Sequence, residues 1–129
     1  MQWLLEGSEE APEQRGLGYF MGRCKRFSSG CEKVPHVGWS SIETGIAGAT
    51  LFRGLQRIEY VYFTHSYYVP YGTTIREADG ELQVVDAAQA EYIIPFAAAV
   101  EWGNVFGVQF HPEKSGETGL RLLANFCVI

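Results

Sequence analysis

A single mixed domain, α/β or α+β, with a sheet of hairpins and helices at both ends, is the fold this sequence predicts. Three observations carry that expectation. A chain of 129 residues has room for one domain and is long enough to bury roughly two-thirds of its unfolded surface. Two turn signals, Asp79-Gly80 and Gly103-Asn104, each lie between runs of strand-forming residues, as hairpins require. Apolar residues recur at helical spacing at both ends: Met1, Leu4 and Leu5 at the start, and Leu120, Leu123, Ala124 and Cys127 at the finish. Periodicity does not record which strands pair, so it leaves α/β and α+β both open.

Along the chain, Met1 to Leu5 predicts a helix already under way, since no capping residue stands ahead of its apolar positions. Ser8 to Arg15, acidic and interrupted by Pro12, reads as a loop that Gly16-Leu17-Gly18 closes. Tyr19 to Phe27 predicts a strand with a polar face at Arg23 and Lys25. After a turn at Ser28-Ser29-Gly30, Lys33 to Trp39 is too broken by Pro35 and Gly38 to predict a regular element, and Thr44 to Gly54 reads as a glycine-rich link. Tyr60 to Val69 is the strongest strand signal, ended by Pro70. Thr73 to Arg76 is expected to pair with Glu81 to Val85, and Tyr92 to Trp102 with Val105 to Phe110. The last of these runs is apolar at nearly every position, the pattern of a strand covered on both faces. Ser115 is placed to cap the closing helix, whose inner face the spacing assigns to Leu120, Leu123, Ala124 and Cys127. The sequence has neither an internal repeat nor a low-complexity tract.

Composition narrows the function. Apolar residues make up 47% and charged residues 19%, a globular balance that excludes disorder. A formal charge of −5 opposes a phosphate backbone, and Arg23, Lys25 and Arg26 form a strand face rather than a basic groove, so no nucleic-acid partner is expected. Cys24, Cys31 and Cys127 make neither an even set nor a CxxC pair, which speaks against a disulfide framework and a structural metal. The N-terminus has no basic region or long apolar run, so the expectation is a cytoplasmic protein that does not enter a membrane.

Chemistry concentrates at His111-Pro112-Glu113, directly after the apolar run and thus at the carboxyl end of a strand, where open α/β sheets keep their sites. Two residues apart, the carboxylate reaches one imidazole nitrogen, fixes the tautomer and leaves the other nitrogen to take a proton from a nucleophile. The same spacing also occurs at ordinary loop starts, so it does not by itself make a site. None of the three cysteines lies on a tight strand-to-helix turn, and all three read as structural. His36 and His65 are not at ligand spacing with each other or with His111.

Four stretches, taken together and in order, resemble the class I (triad) glutamine amidotransferases. They are Met1-Gln2-Trp3-Leu4-Leu5, Lys33-Val34-Pro35-His36-Val37-Gly38-Trp39, Tyr62-Phe63-Thr64-His65-Ser66-Tyr67, and Gly107 to Gly116 with its His-Pro-Glu-Lys-Ser. Pro-His-Val-Gly-Trp points to the branch of that family formed by the glutaminase subunits of imidazole glycerol phosphate synthase, in histidine biosynthesis. The resemblance covers the whole chain and implies an α/β, flavodoxin-like domain with a mixed sheet. It also implies hydrolysis of glutamine to glutamate and ammonia by a Cys-His-Glu triad, with no cofactor and no metal.

Carried over by position, His111 would be the base and Glu113 its orienter. Gln2 would contact the bound glutamine, whose amino acid end would be held at Ser66 and Tyr67. Pro35, His36, Gly38, Trp39, Tyr62 and Lys114 would face the partner, a TIM-barrel cyclase that uses the ammonia. Ser40 stands where the family usually has an asparagine. The family's nucleophile elbow would lie upstream of Met1, so residues 1–129 read as one truncated domain without its N-terminal strands and elbow, inactive alone and prone to form a homo-oligomer through unpaired strand edges. Two other readings stay open: a non-enzymatic interaction module, and a different hydrolase recruiting Cys24 or Cys31.

Overall fold

The computed structural model describes residues 1–28, 30, 32–44 and 49–129. Its strands are β1 (Leu5–Ser8), β2 (Phe20–Arg26), β3 (His36–Glu43), β4 (Ile58–His65), β5 (Tyr67–Pro70), β6 (Thr74–Arg76), β7 (Leu82–Val84), β8 (Asp86–Tyr92), β9 (Ile94–Trp102) and β10 (Val105–Val108). One α-helix, α1 (Gly116–Phe126), closes the chain, and 3-10 turns lie at Gln2–Leu4 and Pro112–Lys114. Eight strands form one mixed sheet in the order β1-β2-β5-β9-β8-β3-β4, with β10 beside β9, while β6 and β7 form a separate hairpin. Among the described residues only the β1–β2 pair is parallel. Among the described residues no helix is long and apolar enough to cross a membrane.

The expected Tyr60–Val69 strand exists but breaks at Ser66 into β4 and β5. One continuous run thereby serves both ends of the path from β5 through β9, β8 and β3 to β4, and the sheet curls back on itself. Inside the curl lie Phe27, Phe63, Phe96 and Phe110 with Ile42, Val61 and Leu122. Leu5, Phe20, Cys24, Val69 and Val100 form a second cluster. Strand β9 feeds both clusters, Phe96 and Ala98 one and Ala97 and Val100 the other. Burying each of these phenylalanines contributes up to about 3 kcal/mol.

Both predicted hairpins form around Asp79-Gly80 and Gly103-Asn104. Four expectations are corrected. The chain does not open in a helix: a single 3-10 turn leads into β1, because Leu5 is buried beside Phe20 and a short isolated helix cannot repay its nucleation. The stretch from His36 onward is a regular strand despite Gly38, held by an eight-residue ladder to β4. Coverage on both faces belongs to β9, whereas all four residues of β10 are half-buried. In α1 the buried residues are Gly119 and Leu122, so the stripe Leu120, Leu123, Ala124 and Cys127 is exposed. The glycine side docks because it allows the closest approach to Pro112. Ser29, Cys31 and residues 45–48 of the expected turn, cysteine and link lie outside the described residues.

Candidate active site

The backbone of His111 is tied to β4. Its N–H donates to Tyr62 O at 2.9 Å. Tyr62 N–H donates in turn to Ser115 Oγ at 3.0 Å, and that hydroxyl donates to His111 O at 2.6 Å. Ser115 precedes α1 but makes no side-chain cap; its buried hydroxyl staples the His-Pro-Glu turn to the sheet instead. Pro112, with φ preset, opens that turn.

On this support the imidazole Nδ1 of His111 meets Glu113 Oε1 at 2.8 Å. The hydrogen bond from His111 is the largest of the effects that hold the Glu113 carboxyl below its usual range, so the pair is a carboxylate accepting from Nδ1–H. That tautomer leaves Nε2 as the basic nitrogen. Both side chains reach solvent, His111 at 39% and Glu113 at 60% relative exposure, so a substrate has access.

Gln2 lies beside this site. Its amide donates to Tyr67 O at 2.7 Å and to Gln109 Oε1 at 3.0 Å, joining the Ser66–Tyr67 corner to the residue two before His111. Ser66 O accepts from Phe27 N–H at 3.0 Å, which fixes the corner to the end of β2. Gln109 as a support and the tie of Ser115 to Tyr62 are not legible in the sequence, because those partners lie far away along the chain.

Of the residues expected to face a partner, Trp39, Tyr62 and Lys114 form one patch. Trp39 meets Tyr62 edge-on at 6.2 Å, and Lys114 Nζ stands 5.8 Å from the Tyr62 ring centroid. Pro35 is exposed, and Gly38, with φ +134°, precedes Trp39 on β3. His36 does not join them. It is 2% exposed and stacks between Tyr92 and Phe63, at 3.9 and 4.8 Å. This is a correction to its expected place, and aromatic packing is the cause.

Cys24 is buried in β2, where burial pushes its thiol up to about 11, far from a nucleophile's range. Cys127 is exposed just past α1 rather than on an inner face.

Residues 25–129 match the family described as glutamine amidotransferase class-I. The chain belongs to the class I glutamine amidotransferases. The chain is 46% identical over 127 residues to the imidazole glycerol phosphate synthase subunit HisH of Deinococcus radiodurans, covering 98% of this chain and 54% of that protein. The HisH subunit of Thermococcus kodakarensis is 44% identical over 126 residues, covering 98% and 60%, and that of Desulfitobacterium hafniense is 43% identical, covering 98% and 54%. The chain thus spans between 54 and 60% of the length of these relatives. Its matched segment contains His111, Glu113, the Ser66–Tyr67 corner and the Trp39 patch, while Gln2 lies ahead of it.

Proposed function

We propose that this chain carries the base, its orienting carboxylate and part of the glutamine-binding corner of a glutaminase serving imidazole glycerol phosphate synthesis. The observation that carries the reading is the His111–Glu113 pair, stapled to β4 beside a corner that Gln2 joins to Gln109. In the proposed reaction His111 Nε2 takes the proton of a cysteine thiol, and the resulting thiolate attacks the glutamine carboxamide. His111 Nε2 delivers a proton to the departing ammonia, and water then hydrolyses the glutamyl thioester with the same nitrogen as base. The ammonia passes to a cyclase partner that docks on Trp39, Tyr62 and Lys114. The nucleophile is assigned to an elbow outside residues 1–129, an assignment supported by the burial of Cys24 in β2 and the place of Cys127 at the C-terminal end of α1, while Cys31 lies outside the described residues.

Glutamate release measures this directly. Purified residues 1–129 should show none, and joining the family's elbow segment ahead of Met1 should restore it. His111→Ala in the joined protein should abolish turnover while Cys24→Ser, Cys31→Ser and Cys127→Ser leave it nearly intact. Activity of the 129 residues alone that vanishes in a cysteine variant would overturn the assignment.

The exposed Leu120, Leu123, Phe126 and Ile129 support a further part of the reading, self-association into a homo-oligomer. Light scattering should find a dimer at micromolar concentration, and a stable monomer would refute it.

A further inference from the structure

Two buried imidazoles lie between the Trp39 patch and the Ser66–Tyr67 corner, and the proposed reaction uses neither. Strands β3 and β4 pair His36 directly with His65. His36 Nδ1 stands 2.9 Å from His65 Nε2, His36 Nε2 is 2.8 Å from Ser40 Oγ, and His65 Nδ1 is 2.8 Å from Tyr67 O. Four groups thus form one unbroken line.

Hydrogen-bond chemistry orders the protons along it. A carbonyl oxygen only accepts, so His65 Nδ1 must donate to Tyr67 O. A neutral ring protonated there has a bare Nε2, which must accept, so His36 Nδ1 donates. The His36 ring is then bare at Nε2, and Ser40 must donate its hydroxyl proton. Reversing any one step sets two lone pairs or two N–H groups against each other. Burial holds both rings neutral, with their pKa values lowered to about 4.

The surroundings keep water from the two rings. His36 lies between Phe63 and Tyr92, and His65 packs on Phe27 and Phe96. At the far end Tyr67 O also accepts from Gln2, so two donors fix that carbonyl. At the near end Ser40 follows the exposed Trp39 on β3.

We propose that Ser40, His36 and His65 are positioning residues, a proton-ordered relay that sets the Tyr67 carbonyl and ties the Ser66–Tyr67 corner to the β3 face around Trp39. Its functional meaning rests on the reading of that corner as glutamine-binding.

Heteronuclear NMR on the 129-residue chain tests it. Both rings should be neutral at pH 7 and in the Nδ1–H form. Ser40→Ala should shift the His65 ring nitrogens and the Tyr67 carbonyl, while Ser40→Thr, which keeps the hydroxyl, and Ser41→Ala, on the opposite face of β3, should not. An Nε2–H tautomer at His65, measurable in the unmutated chain, would overturn the relay. So would a Ser40→Ala response confined to His36. Titration of the protein joined to the elbow segment with L-glutamine separates the two claims: no shift at Ser66 or Tyr67 with the tautomers as stated refutes the glutamine corner and leaves the relay standing.

Discussion

Gly119 sits inside α1, where helix propensity alone makes alanine better by about 1 kcal/mol. The structure reverses that sign. A Cβ built at Gly119 would stand 1.9 Å from Pro112 O, 2.8 Å from Pro112 C and 3.0 Å from Ser115 Cβ. Ordinary contact begins near 3.4 Å, so the helix must retreat from the His-Pro-Glu turn by more than an ångström against backbone that cannot rotate away. Overpacking of this kind costs about 1 to 3 kcal/mol and sometimes more. The retreat also strains the Ser115 staple to His111 and Tyr62, two hydrogen bonds each contributing about 0.5 to 1.5 kcal/mol. After subtracting the propensity gain, Gly119→Ala should destabilise the chain by about 1 to 5 kcal/mol. Urea unfolding followed by circular dichroism should show a lower midpoint at unchanged slope. Leu120→Ala, one position along and exposed, should change stability by less than about 0.5 kcal/mol. A Gly119→Ala protein as stable as the parent would refute the reasoning, because propensity would then have won over packing.

Other outcomes follow from the same structure. The folded chain holds His36 and His65 near 4, below their ordinary 6.5, so the unfolded chain binds the extra protons between those values and the pair's stabilisation, complete above pH 6.5, is lost as pH falls toward 4. Asp86, buried and raised to about 6, works the other way, its stabilisation complete below 3.8 and lost as pH rises through 6. Two groups against one give a net rise in stability from pH 4 to 7 on the order of 2 kcal/mol after solvent screening, steeper in Asp86→Asn. Chemical denaturation across that range checks it, and a flat or falling profile for the parent would count against it. Iodoacetamide should modify exposed Cys127 in the native chain and spare Cys24 until denaturant is added, as read by peptide mass spectrometry. In the proposed complex, Trp39→Ala should weaken binding to the cyclase by about 2 kcal/mol or more, and equal affinities in calorimetry would remove Trp39 from the interface.

Local chemistry determined a definite part of this protein. Turn residues fixed two hairpins, the alternation of Tyr19 to Phe27 with its polar face fixed β2, the β-branched and aromatic run from Tyr60 to Val69 fixed β4 and β5 without the break at Ser66, and the two-residue spacing of His111 and Glu113 fixed a pair that needs no distant partner. Tertiary structure decided what pairwise spacing does not encode. Strand β8, with Ala87, Ala88 and Ala90, has weak strand propensity and forms because β9 and β3 supply its ladder. Packing also chose the docked face of α1, where a glycine beside Pro112 O outranks a more apolar stripe. His36 and His65 lie far apart in sequence and meet only because the β3–β4 register sets them opposite each other. Propensity and spacing act over a few residues, whereas register and close approach depend on surfaces that exist only after the chain has folded.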